Sequence, residues 1–240
     1  MTRACRICRH EELSFELNLG AAAFCVEAPC SAEAARAIPK HPFRLGSCPA
    51  CGVIQLIDLP PLKALQPAEH AILYRDPERH LDDLARATAA LLPSPNAQIV
   101  GMSYKDAPFL EWLSSLGFKA GRVLDRQADW GFTQAREGIE TLQAHCTPAW
   151  AEGIRAKLGP IDLLVVRHVL EHAHDPPAFL AACRRLVEPQ GRVLFEVPGC
   201  DTEFARGDCG ALWEEHVSYF TADSLRATLA LHGFHPRLVG

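Results

Sequence analysis

Four cysteines in two short pairs carry the clearest chemistry in this chain: Cys5-x-x-Cys8 and Cys48-x-x-Cys51. Two intervening residues let one turn aim both sulfurs at one ion. Two such turns complete a tetrahedral four-sulfur set, the closed geometry of structural zinc. Each pair lies in knuckle-like sequence, Cys5-Arg-Ile-Cys8-Arg and Cys48-Pro-Ala-Cys51-Gly52. Gly52 supplies a position free to take positive φ, where backbone N–H groups turn back toward sulfur. The stretch between the pairs is long, so the metal would staple a sizeable loop. Free or redox-active thiols are the competing reading, but no thioredoxin-like βαβ context surrounds either pair. The remaining cysteines (25, 30, 146, 183, 200 and 209) are read as small apolar residues.

The rest of the chain bounds what these cysteines can serve. Its 240 residues make one large or two small domains. Apolar content of 48% and charged content of 22% are those of an ordinary folded chain with enough material for a core. A net charge of −5 and a pI near 6.1 give no field that favours nucleic acid. No run reaches the roughly 18 apolar residues of a membrane helix. The opening Met-Thr-Arg-Ala-Cys is not read as a signal peptide, so ten cysteines predict a reducing cytoplasm and thiols or metal instead of disulfides. The expected state is a monomer or homodimer with no membrane or nucleic-acid partner.

Three zones must position these groups. Residues 1–58 hold the cysteine pairs, with short strands expected near Phe15 to Leu19 and Val53 to Ile57. Residues 59–95 form a helical connector or lid. Within it Leu81, Leu84, Ala85, Thr88, Leu91 and Leu92 recur on one helical face, and Pro93-Ser-Pro95-Asn96 ends the pattern. Residues 96–240 alternate strand and helix. Strands are expected at Gln98 to Gly101, Arg122 to Leu124, residues 138–145, Ile161 to Val166 and Val193 to Val197. Helices are expected after Pro108, over Trp150 to Leu158, after an Asp175 cap and after a Thr221 cap, with Gly117, Gly159 and Gly233 as stops. This alternation predicts an α/β fold with a parallel sheet covered on both faces. Pro236 to Gly240 reads as the start of a further strand that the chain does not complete, which suggests a fragment or a sheet short of its last strands.

Several stretches together resemble one family. They are Leu17-Asn-Leu-Gly20, Phe43-Arg-Leu-Gly-Ser-Cys-Pro-Ala-Cys-Gly-Val-Ile-Gln-Leu56, Asp162-Leu-Leu-Val-Val-Arg-His-Val-Leu-Glu-His172, Gly191-Arg-Val-Leu-Phe-Glu-Val-Pro198 and Trp213-Glu-Glu-His-Val-Ser-Tyr-Phe220. The set resembles S-adenosylmethionine-dependent sugar C-methyltransferases that carry an N-terminal zinc-binding module. The resemblance implies a Rossmann-like class I methyltransferase sheet, S-adenosylmethionine and zinc as cofactors, and a nucleotide-linked keto sugar as substrate. It also implies that this chain lacks the family's last sheet strand and later C-terminal region.

In a doubly wound sheet the ligand lies beyond the carboxyl ends of the strands. That places the implied cofactor near Gly101, Asp125 (positioned to accept ribose hydroxyls), Arg167 and His168. The family's G-x-x-D-G loop is matched here only at Gly101 and Asp106, because the chain reads Gly101-Met-Ser-Tyr-Lys-Asp-Ala-Pro108. Carbon methylation needs a base beside a ketone, a stabilised enolate and a dry pocket. By resemblance, His216 is the base, Glu215 orients it or contacts substrate, His172 is a second site histidine and Tyr74 a loosely matched site tyrosine. Trp213 stands where a site tyrosine is common. Two other readings stay open at this stage. One is a relative that has lost turnover through the altered loop. The other is a zinc-ribbon nucleic-acid module, weakly favoured by Arg3, Arg6 and Arg9 and opposed by the acidic balance.

Overall fold

The computed structural model describes residues 4–24, 31–66 and 78–237. Two sheets organise them. The first is antiparallel. Strands β1 (Phe15–Ala23), β2 (Lys40–Ser47) and β3 (Ile54–Leu56) pair in chain order, with the short helix α1 (Ala32–Ala37), capped by Ser31, between β1 and β2. The segment after β3 passes through a 3-10 turn at Leu62–Leu65. Helix α2 (Leu81–Ala89) then opens the second layer system.

The second sheet is parallel. Strand β4 (Ile99–Gly101) leads through a 3-10 turn into α3 (Ala107–Ser115) and then β5 (Arg122–Val123). Helices α4 (Ile139–Leu142) and α5 (Pro148–Leu158) carry the chain to β6 (Ile161–Arg167). A 3-10 turn at Leu170–His172 and helix α6 (Pro176–Leu186) lead to β7 (Val187–Glu196). The strand order is β5-β4-β6-β7, so the chain reverses its direction of travel between β4 and β6. Helix α7 (Asp201–Arg206), strand β8 (Ser218–Tyr219) and helix α8 (Ala222–Leu231) complete the elements.

Strand β6 shows why the sheet is covered on both faces. Successive side chains of a strand point to opposite sides. Leu163 and Val165 join Leu81 and Ala85 of α2 and Phe109, Leu110 and Leu113 of α3. Leu164 and Val166 join Ala151 and Ile154 of α5 and Phe179, Leu180 and Cys183 of α6. Each such aliphatic side chain contributes about 1.5–3 kcal/mol when fully buried. A strand buried on both faces has no polar side to alternate with, which is why Ile161 to Val166 reads as a nearly continuous apolar run. The expected caps are present: the Asp175 side chain accepts from Ala178 N and the Thr221 side chain from Ser224 N.

The structure corrects several sequence expectations. Residues 138–145, expected as a strand, hold helix α4, with Leu142 N donating to Gly138 O. All four residues of that helix are buried, and a short buried run has no periodicity that separates strand from helix. Helix α2 occupies only part of the expected helical connector, and Tyr74 lies outside the described residues, as do Cys25 and Cys30. Residues 234–237 form no strand, and Phe234 instead packs edge-on against Phe195 at 5.4 Å. Cys146, Cys183 and Cys200 are buried as expected of small apolar residues, whereas Cys209 is exposed.

Strand β8 was not expected as a strand at all. It pairs antiparallel with β3, Ile54 opposite Tyr219 and Gln55 opposite Ser218. The antiparallel sheet that carries the cysteine pairs therefore ends in a strand supplied from residues 218–219. No helix of the described residues is long and apolar enough to cross a membrane.

Candidate active site at the carboxyl edge

Strands β4 and β6 are neighbours whose onward connections leave in opposite directions, so their carboxyl ends flank the switch point of the sheet. Gly101 ends β4. A Cβ there would stand 2.7 Å from Asp106 Cβ, so glycine lets the following turn fold back on the strand end. That turn is held by its own polar groups. Asp106 accepts from Ser103 N at 2.7 Å and from Arg167 N at 3.1 Å, while Ser103 Oγ accepts from Lys105 N at 3.2 Å. Asp106 is fully enclosed. Burial pushes its carboxyl up to about 7 against the pull of these N–H groups and of Arg167.

Arg167 ends β6 with no exposed surface. Its Nε donates to Glu196 at 2.7 Å, its Nη2 to Glu78 at 2.6 Å and to Glu196 at 3.1 Å, and its Nη1 to the Lys105 carbonyl. Lys105 Nζ stands 4.0 Å from Glu78. His168 follows in left-handed backbone, φ 55°, a conformation uncommon outside glycine and worth inspection in any site. Its Nε2 lies 3.1 Å from Glu196 and its Nδ1 3.7 Å from Glu171. Burial lowers this imidazole's affinity for a proton, but Glu171 and Glu196 outweigh burial and push its pKa up to about 9. Glu196 responds in kind: despite burial, His168 and Arg167 hold it well below the usual carboxylate range.

One turn further on the surroundings change. Glu171 is 2% exposed, and neither carboxylate oxygen has a hydrogen-bond donor among the described residues. Its partner is the charged His168 imidazole, 3.7 Å away. His172 is buried and hydrogen-bonded through Nδ1 to the Glu215 carbonyl at 3.0 Å. A carbonyl only accepts, so Nδ1 carries the proton and Nε2 keeps its lone pair. The half-buried His216 ring stands edge-on to His172 with centroids 4.8 Å apart, and Trp213 stacks on it at 6.2 Å. Burial, and for His172 the nearby His216, lower both imidazoles to about 4. Both rings are therefore neutral at pH 7, and each keeps one unprotonated nitrogen.

The cysteine pairs also meet. Sγ of Cys5 is 3.6 Å from that of Cys51, and Sγ of Cys8 is 3.5 Å from that of Cys48. Sulfurs bonded at 2.3 Å to a tetrahedral ion lie about 3.8 Å apart, so the four donors fit a closed metal site. Gly52 takes φ 74°, with its N–H on the Cys48 carbonyl at 2.9 Å, as a knuckle turn requires. Gln55, 1% exposed, donates to Cys5 Sγ at 3.2 Å and outlines an outer shell.

The expected site residues therefore fall into groups. Gly101, Asp106, Arg167 and His168 meet at the ends of β4 and β6. His172, Glu215 and His216 meet one turn away. Asp125 stands apart, exposed beyond β5, its Oδ1 accepting from Gln127 N at 2.9 Å and Ala128 N at 2.6 Å. Two expectations change in kind. Asp106 and Arg167 were read as cofactor contacts, but both are enclosed and bonded to protein, so they brace the edge from beneath. Sequence reasoning passed over Glu78, Glu196 and Glu171. The last two lie inside the E-V-P and V-L-E-H stretches, where acid type alone was a usable signal; Glu78 has no such marker.

Comparison with known proteins agrees with this architecture. The family described as "Methyltransferase domain" matches residues 78–238. A ubiquinone biosynthesis O-methyltransferase of Caulobacter sp. (strain K31) is 30% identical over 97 residues, which is 34% of this chain and 38% of that protein. A protein of the same description from Caulobacter vibrioides (strain ATCC 19089 / CIP 103742 / CB 15) is 26% identical over 132 residues, 55% of this chain and 51% of that protein. The chain thus spans about half or less of the length of these curated relatives. The family match runs from the residue that pairs with Arg167 through β8 and α8, and on that extent the chain belongs to the methyltransferase domain family.

Proposed function

We propose that this chain is an S-adenosylmethionine-dependent methyltransferase acting on a small molecule, and that the acceptor is a nucleotide-linked keto sugar methylated at carbon. The observation that carries the reading is the neutral pair His172 and His216, facing each other at 4.8 Å immediately beyond the turn that leaves β6. The finer choice of a sugar rests on the resemblance of Trp213 to Phe220 and of the cysteine module to sugar C-methyltransferases. Zinc is the proposed ion of the four-cysteine site.

The edge fits the cofactor by the chemistry of its side chains. Asp125 would accept from the ribose hydroxyls, and Glu78 and Glu196 beside the end of β6 would favour a sulfonium cation. Lys105 would meet the cofactor carboxylate, and Asp106 and Arg167 would hold this surface rigid. When bound, S-adenosylmethionine supplies an electrophilic methyl group on sulfur. His216, neutral and half-buried, takes a proton from the acceptor. His172 lies edge-on to His216, and Glu215 fixes the tautomer of His172 through its carbonyl. Trp213 and the buried Tyr219 pack their rings against His216 at 6.2 Å and 6.3 Å.

A second reading, methylation of a hydroxyl, is favoured by the curated relatives, both named O-methyltransferases. It uses the same base and edge. Incubation with methyl-labelled S-adenosylmethionine and parallel panels of nucleotide-linked keto sugars and phenolic acceptors tests both. Label on sugar carbon, lost in His216→Ala, supports the first reading. Label on oxygen supports the second. No transfer to any acceptor by folded, cofactor-binding protein contradicts the acceptor assignment.

A further inference from the structure

Arg6 sits between two cysteines of the metal knuckle and yet reaches across the antiparallel sheet. Its Nη1 donates to the Leu56 carbonyl at 2.6 Å, and its Nη2 donates to the Val217 carbonyl. Val217 directly follows His216. The same carbonyl accepts from Leu56 N at 3.1 Å, and Val217 N donates to the Glu171 carbonyl at 2.9 Å. Gln55 locks Arg6 to the knuckle. Its Oε1 accepts from Arg6 N at 3.1 Å while its Nε2 donates to Cys5 Sγ at 3.2 Å. Every link from the sulfur of Cys5 to the backbone beside His216 is therefore a hydrogen bond, and Gln55, the middle link, is almost wholly buried.

A strand as short as β8 has little pairing of its own. It bonds to β3 over two residue pairs, and Gly199 bridges to Phe220. Two residues of pairing do not fix a side chain's direction against thermal motion. A guanidinium does more, because its planar fork delivers two donors in fixed relative geometry, here to carbonyls on two adjacent strands. We infer that Arg6 is a positioning residue for His216, and that through Gln55 and Cys5 it makes the direction of the His216 ring depend on occupancy of the four-cysteine site. The cysteine module is then a working part of the acceptor site. This inference takes the role of His216 from the function proposed above, but its physical content is a link between two places and stands on the bonds alone.

The test uses the full chain loaded with one zinc ion and compares wild type with Arg6→Met and Arg6→Lys. Three quantities are read: zinc per chain, hydrogen exchange of individual amides, and the ring resonances of His216. In Arg6→Met we expect zinc to stay at one per chain and the amides of β6 to keep their protection. The Leu56 and Val217 amides should exchange about tenfold faster, the scale of one lost charge-assisted hydrogen bond. The His216 ring signals should move toward those of a solvated imidazole. Arg6→Lys, with one ammonium for two carbonyls, should fall between. Unchanged His216 signals and Val217 exchange in zinc-loaded Arg6→Met would overturn the inference, since a purely stabilising arginine would leave them alone. Should Arg6→Met not hold zinc or not fold, stepwise chelation of the wild type reads the same link. His216 signals that move as zinc leaves, with β6 amides still protected, uphold it, and signals that stay put overturn it. Failure of wild type to bind S-adenosylmethionine would sink the proposed function and leave these resonances where they are.

Discussion

The two sides of the turn from Arg167 to His172 solve opposite problems. On the β6 side Arg167 is charged and deeply buried, and carboxylates from three distant parts of the sequence surround it and its neighbour His168. On the other side Glu171 lacks hydrogen-bond donors, and His172 and His216 are held neutral. A buried charge persists only when paired, so the first cluster ties the strand ends together and fixes its carboxylates beside the proposed cofactor edge. Imidazoles kept neutral at pH 7 fit the proton transfer proposed for the second cluster. Stability and chemistry sit a few residues apart and divide the charges between them.

Breaking the paired side should give the largest effect. Arg167→Met leaves Glu78 and Glu196 without the buried guanidinium that bonds both, with His168 and Lys105 as remaining cations. Removing one partner of a buried pair typically costs about 3–5 kcal/mol, a large share of the roughly 5–15 kcal/mol that holds a domain folded. Urea unfolding should show this as a midpoint shift, and a loss below about 1 kcal/mol would mean that the cluster is not structural. The neutral side should respond differently. His216→Ala should lower methyl transfer by about 10²–10⁴-fold, the usual worth of a general base, with little change in unfolding midpoint. In the wild type the acid limb of the rate profile should lie near the lowered value of about 4, because the base stays unprotonated until then. An acid limb near 6.5 would show that burial does not lower the His216 imidazole. The smallest effect is expected where the sides meet. Glu171→Gln removes one of the two carboxylates that raise His168, so its pKa should fall from about 9 toward 6.5, as read by ring resonances. A raised histidine stabilises fully below its unfolded pKa and loses that contribution as pH rises through its folded value. The variant should therefore lose stability at a lower pH than wild type does.

How much of this was legible in the sequence depended on the distance over which the physics acts. The cysteine pairs were readable because two ligands of one ion lie within a single turn. The caps at Asp175 and Thr221 were readable because the bond spans three residues. Strand β6 announced itself by being apolar throughout. The Arg167 cluster was not readable, because its partners Glu78 and Glu196 are brought in by two separate connections, and an arginine at a strand end looks like a ligand contact. The short helix at Ile139–Leu142 was misjudged because burial on every side removes periodicity. The pairing of β8 with β3 joins Ser218 to Gln55 across most of the chain, and no local pattern encodes such a register. The histidines proposed as catalytic were picked out through resemblance alone; nothing in the spacing of His172 and His216 shows that their rings meet edge-on.

We propose that the strand ends carrying the paired charges accept the nucleoside cofactor beside the neutral histidines. Calorimetric titration with S-adenosylhomocysteine, the demethylated cofactor, tests it most directly on wild type and on Asp125→Asn. Saturable one-to-one binding is expected for the wild type and at least about tenfold weaker binding for the variant, the scale of one hydrogen bond to a charged group. Folded, zinc-loaded wild type that gives no heat at high concentration would contradict it.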